Sequence, residues 1–233
     1  MPCINDNLNK VQQQIDEAAK SSGRATSDIT LLAVSKTRSA DELRLAYDCG
    51  QRHFGENYLQ ESLEKIDALS TLDELCWHFI GPIQSNKTRP IAESFHWVHS
   101  VDRLKIARRL SEQRPEHLPP LNICLQVNIS REESKAGCLP EETAALVDEI
   151  AALPRIQLRG LMAIPKATDD PEEQRNAFHR MQQLFSDLQQ KHPTLDTLSM
   201  GMSGDMAMAI AEGATIVRIG TAIFGPRDYS NKN

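Results

Sequence analysis

Short apolar runs alternate with amphipathic helical segments along nearly the whole chain, and this rhythm restricts the fold more than any other feature. After a first helix carrying Ile4, Leu8, Val11, Ile15 and Ala18, which Gly23 ends, strands are expected at 29–37, 53–55, 75–80, 97–101, 121–129, 156–164, 197–200 and 215–219. Helical stretches separate them. Ser39-Ala-Asp-Glu42 has the form of a capping box, Pro140 suits a first helical position, and Asp170-Pro171-Glu172-Glu173 opens a long helix whose Phe178, Met181, Phe185 and Leu188 share a face. Strands that each lead into a helix pair in parallel through crossovers. About eight such units in 233 residues predict a single-domain (β/α)8 barrel over residues 1–233 with an extra N-terminal helix, an open doubly wound sheet being the competitor. Glu112–Pro120 is the one loose stretch and is expected to be a connecting loop.

Composition narrows the function classes. A net charge of -6 disfavours nucleic acid as a partner, and no apolar run approaches the length of a membrane span. The five cysteines are odd in number and scattered, as expected of reduced thiols in the cytoplasm. The polar segment 1–14 does not resemble a signal peptide.

Lys36 follows Leu31-Leu32-Ala33-Val34-Ser35 at the carboxyl end of the first strand, on the face of Leu32 and Val34. In a barrel that end is the mouth of the site. Apolar neighbours there disfavour the ammonium and favour the neutral amine that attacks aldehydes, unless the side chain simply emerges into water. The last two strand-to-helix connections, Met200-Gly201-Met202-Ser203-Gly204 and Arg218-Ile219-Gly220-Thr221, supply glycines and hydroxyls where barrels often hold phosphate. Ser203 alone would be a plain helix cap; its pairing with Gly220-Thr221 favours a phosphate site. Arg218 lies between Val217 and Ile219 and needs a partner, either a structural carboxylate or a ligand atom. His96 and His99 fall on opposite strand faces, and Cys76 and His78 share a face without further ligands in sequence, so no metal site is expected. Glu56-Asn57-Tyr58 follows the second strand at the mouth.

With Lys36, Gly55-Glu56-Asn57 and Met200–Thr221 in place, the chain resembles the pyridoxal phosphate homeostasis protein family. His78-Phe79-Ile80-Gly81, Gln84-Ser85-Asn86-Lys87, Ser134-Lys135-Ala136-Gly137 and Arg159-Gly160-Leu161-Met162 carry the resemblance over nearly the whole length. It implies a barrel like the N-terminal domain of alanine racemase and pyridoxal 5'-phosphate (PLP) as a covalent imine on Lys36. It further implies Arg218 facing the pyridine nitrogen, Ser203, Gly220 and Thr221 on the phosphate, and Asn57 and Met200 lining the pocket.

The resemblance implies a monomeric cytoplasmic carrier that sequesters PLP or delivers it, with PLP-dependent apo-enzymes as the conceivable recipients and no residue assigned a catalytic role. The alternatives are a PLP-dependent amino-acid racemase of the same barrel type and a PLP-independent aldolase acting through Lys36. An arginine at the ring nitrogen disfavours ring protonation and weakens the electron sink, although the barrel racemases share that feature. The racemases carry a second domain that supplies an opposing base, whereas this sequence stops at Asn233, soon after the last strand.

Overall fold

A computed structural model describes residues 3–226. Eight parallel strands close into a barrel in chain order: β1 (Thr30–Val34), β2 (His53–Glu56), β3 (Cys76–Phe79), β4 (Trp97–Val101), β5 (Leu121–Gln126), β6 (Ile156–Met162), β7 (Thr197–Ser199) and β8 (Ile216–Ile219). The ring is sealed by β1 against β8, with Thr30 opposite Ile216 and Leu32 opposite Arg218. The closed barrel replaces the open-sheet alternative. The helices are α1 (Ile4–Ser21), α2 (Ala40–Asp48), α3 (Leu59–Ala68), α4 (Thr88–Ser94), α5 (Leu104–Gln113), α6 (Pro140–Ala151), α7 (Pro171–Lys191), α8 (Met206–Ala211) and α9 (Thr221–Phe224).

Local chemistry explains where several helices begin. Ser39 accepts from the Glu42 amide while the Glu42 carboxylate accepts from the Ser39 amide, so the capping box forms. Asp170 accepts from the amides of Glu172 and Glu173 ahead of Pro171. The four apolar residues of α7 named above are all buried. Six of the eight strands are shorter than the apolar runs, because several runs continue past the last ladder bond into the loops of the mouth, whereas β4 matches its run and β2 extends one residue further, to Glu56. Lys36 is one such residue and lies in a turn beyond Val34. The loop after α5 is held from within by Arg114, which donates to the carbonyls of Ala92, Phe95 and Pro119.

The apolar core lies between the barrel and its helices, around Phe54, Phe79, Phe95 and Phe178. Inside the barrel the filling is more polar. His78, His99, Ser199 and Arg218 are all buried there, and Trp97 stacks on His78 with ring centroids 5.5 Å apart. Trp77, on the opposite face of β3, packs with Phe54 instead. The first helix lies across the last two units of the barrel, where the Asn7 side chain donates to the Ile223 carbonyl and Arg24 to the carbonyls of Ile210 and Ala214. No helix among the described residues is long and apolar enough to cross a membrane.

Candidate functional site

A cavity of about 300 Å³ opens at the carboxyl ends of the strands, within the range of small-molecule sites. Val34, Lys36, Asn57 and Ile80 form one wall, Met162, Ile164 and Met202 an apolar side, and Ser203, Gly204, Arg218, Gly220 and Thr221 the polar remainder. Six of the seven residues expected from the sequence thus meet in one cavity. Met200 does not. It is fully buried in the apolar core, because pleating turns it away from the lumen that Ser199 faces; Met202, two residues on, reaches the cavity instead.

The backbone on either side of Lys36 is held by a buried polar cluster. Lys65 of α3 donates to the Ser35 carbonyl at 2.8 Å and to Glu56 and Glu61 at 2.8 and 2.5 Å. The Ser35 hydroxyl donates to Glu56 at 2.5 Å, and the Thr37 amide to Glu61 at 2.6 Å. Thr37 has φ +66°, a costly conformation for a β-branched residue that persists only where its surroundings enforce it. Burial pushes the Glu56 carboxyl above its ordinary range, against the opposing pull of Lys65 and Ser35. Strain and anchoring together give Lys36 a fixed root. No pattern in the sequence pairs Lys65 with Ser35.

The phosphate-like corner differs from expectation in one respect. Ser203 does not cap α8. Asp205 occupies the N-cap, its carboxylate accepting from the Met202 amide at 2.5 Å, so residues 202–205 form a tight turn with Ser203 at its crest on the cavity wall. After the neighbouring strand β8, Gly220 precedes α9 and Thr221 opens it. Gly220 lies close to the Val34 backbone: a Cβ there would stand 3.2 Å from the Val34 oxygen. The side chain of Asn57 brings a further acceptor, since its Oδ1 is buried without a hydrogen-bond partner.

Arg218 is satisfied by oxygens other than carboxylates. Its Nη1 donates to the Ser199 carbonyl and hydroxyl at 2.7 and 2.9 Å, and its Nη2 to the Ala163 carbonyl at 2.8 Å. Burial pushes its pKa down to about 10, which leaves it charged at neutral pH. Behind it stands a file of imidazoles: Ser199 Oγ to His99 Nδ1 at 2.8 Å, His99 Nε2 to His78 Nδ1 at 2.9 Å, and His78 Nε2 to His53 Nδ1 at 2.9 Å. His53 stands opposite Cys76 in the β2–β3 ladder, so Cys76 and His78 do have a third donor beside them, within 4.8 Å. The opposed faces of His96 and His99 hold, with His96 accepting from the Trp77 amide.

The profile of the alanine racemase N-terminal domain matches residues 7–228. A pyridoxal phosphate homeostasis protein of Pseudomonas aeruginosa is 60% identical over 98% of both chains, and one of Escherichia coli K12 is 52% identical over 98% of this chain and 99% of its own. Among solved structures, PipY of Synechococcus elongatus without PLP is 38% identical with a TM-score of 0.86, covering 95% of this chain and all of that one. The same protein with PLP bound is 40% identical with a TM-score of 0.78, covering 91% and 100%. An alanine racemase of Clostridium difficile shares the fold at 15% identity and a TM-score of 0.74, this chain spanning 59% of it.

Proposed function

The chain belongs to the pyridoxal phosphate homeostasis protein family, on the fold of the alanine racemase N-terminal domain, and from that premise we propose that it holds PLP as a Schiff base on Lys36 and stores or delivers it within the cytoplasm. The observation that carries this reading is the convergence of Lys36, Arg218 and the Ser203–Gly204 and Gly220–Thr221 turns on one cavity. The residues fit the group. A single amine emerges from an anchored turn, hydroxyls and glycine backbone gather in the same cavity where β8 runs beside β1, and the unpartnered Asn57 Oδ1 is left to accept from a ligand donor. Lys36 would hold the carbonyl carbon, Arg218 would face the ring nitrogen, and Ser203, Gly220 and Thr221 would hold the phosphate.

When bound, PLP supplies an electrophilic carbonyl and an electron-withdrawing ring. A guanidinium has no acceptor and keeps its charge, so Arg218 disfavours a proton on a ring nitrogen beside it. That weakens the ring as an electron sink and favours holding the cofactor over broad catalysis with it. A monomer serving PLP-dependent apo-enzymes fits this role. The test is borohydride reduction of protein loaded with PLP, followed by peptide mapping. The pyridoxyl group belongs on Lys36, and the absorption of the adduct should vanish in a folded Lys36→Ala variant. Labelling chiefly at Lys87 or Lys135 would refute the assignment.

A further inference from the structure

The imidazole file behind Arg218 has one sense only. A guanidinium donates and cannot accept, so where Arg218 meets the Ser199 hydroxyl at 2.9 Å the oxygen is the acceptor. Ser199 is fully buried, and its own hydrogen has His99 Nδ1 as partner. His99 Nδ1 is therefore bare and its Nε2 carries the hydrogen, which goes to His78 Nδ1. The same logic makes His78 Nε2 the donor to His53 Nδ1 and leaves the His53 hydrogen on Nε2, at the amino-terminal end of the barrel. All bonds in the file point away from the cavity, and all the bare lone pairs point toward Arg218.

We propose that His99 and His78 are positioning residues of the ligand pocket: together with His53 they form a relay of fixed tautomers that orients the Ser199 hydroxyl and, through it, the Arg218 guanidinium. The inference rests on the reading of Arg218 as the group facing the ligand ring. Three facts support it. Burial, with Arg218 nearby, pushes His99 down to about 3, and burial pushes His78 well below its ordinary value, so both rings are neutral and each has one hydrogen to place. Trp97 stacks on His78 with planes 11° apart, which restrains the rotation that would break the file. The Nε2 of His78, already a donor to His53, has no lone pair to offer a metal, so the relay accounts for the His53, Cys76 and His78 cluster without an ion. Arg218 commits three of its five N–H groups to Ser199 and Ala163, and the relay keeps the Ser199 oxygen available for one of them.

Two measurements test the relay separately from the cofactor. Long-range 1H–15N correlation spectra of the histidine rings in the apo protein at neutral pH should show His99, His78 and His53 as Nε2–H tautomers. Observing Nδ1–H at His99 or His78, or a charged ring at either, overturns the relay. The second measurement titrates PLP into His99→Leu and His99→Asn. Asparagine retains an acceptor toward the Ser199 hydroxyl and leucine does not. His99→Leu should therefore bind PLP roughly tenfold more weakly and shift the absorption of the Lys36 adduct, while His99→Asn stays within about threefold of the wild type. Equal affinity and equal spectra in the wild type and both variants overturn the positioning role, because a purely structural histidine would alter the melting temperature alone. Should the wild type form no reducible adduct at Lys36, the cofactor reading fails and the positioning role fails with it, while the ring spectra still decide the tautomers.

Discussion

The ammonium of Lys65 lies 2.8 Å from the carbonyl oxygen of Ser35, the residue immediately before Lys36. One buried lysine thus fixes the position of another without lining the cavity itself. Its charge is balanced by Glu56 and Glu61, and Glu56 in turn holds the Ser35 side chain. The arrangement supports the reactive amine from behind, so the two lysines have separate roles and should respond differently to substitution.

Lys65→Met is expected to destabilise the protein by about 3–5 kcal/mol, because it leaves the Glu56 carboxylate buried without its ion partner. The double variant Glu56→Gln/Lys65→Met should recover part of that loss. Denaturant midpoints of the wild type, both single variants and the double variant check the coupling; strict additivity would show that the pair contributes no mutual stabilisation.

The turns at Ser203 and Thr221 predict a ligand preference. Ser203→Ala and Thr221→Ala should each lose about 1–2 kcal/mol of PLP binding. Pyridoxal, which lacks the phosphate, should bind far more weakly than PLP and be almost indifferent to both substitutions. Fluorescence titration of the two ligands against the three proteins gives the answer, and equal affinity for both ligands would move the phosphate site elsewhere.

Gly81 backs directly onto the Asn57 backbone: a Cβ at Gly81 would stand 2.1 Å from the Asn57 carbonyl oxygen and 2.7 Å from its Cα. Neither atom belongs to a flexible side-chain end. Gly81→Ala must therefore displace Asn57 from the cavity wall, costing about 1–3 kcal/mol of stability and weakening PLP binding as well. Thermal melts with and without PLP separate the two effects.

Acid should unfold the protein through its buried imidazoles. The ordinary histidine value of 6.5 falls to about 3 at His99 in the folded chain. The folded value is depressed, so the unfolded state takes up the proton first. The stability associated with this neutral ring is complete above about pH 6.5 and is lost as the pH falls from there toward 3. At pH 5 the loss amounts to about 2 kcal/mol from this ring alone, and His78 acts in the same direction. Unfolding free energies at pH 7.5 and pH 5 should show the decline, with a shallower slope in His99→Asn.

The barrel was legible because its signals are local. Ser39 with Glu42, Asp170 ahead of Pro171, and the apolar spacing of α7 each announce an element within a few residues. Lys36, Arg218 and the two glycine turns were legible because a barrel collects the carboxyl ends of its strands at one mouth. Met200 faces away from the cavity, since the order of residues in the turn does not say where pleating gives way to loop; Ser203 lines the cavity as expected but does not cap α8, whose N-cap position falls to Asp205 with no side-chain cap bond. The clamp of Lys65 on Ser35 and the file from Ser199 to His53 depend on contacts among residues far apart in the chain. The His99–Ser199 bond alone spans 100 positions, and no local pattern encodes it. The last seven residues, on which part of the expectation about chain length rests, lie outside the described residues.

The docking of α1 has a consequence for biosynthesis. The bond from Asn7 to Ile223 joins residues 216 positions apart, and the bonds of Arg24 reach nearly as far. At about 5–20 residues per second, a ribosome takes about 10–40 s to deliver that partner. Throughout that interval Leu8, Val11 and Ile15 lack the surface of α8 and α9 that later covers them. Nascent chains should therefore keep the first helix sticky until the last unit emerges, making it a natural hold for a chaperone, and its docking should be among the final events of folding.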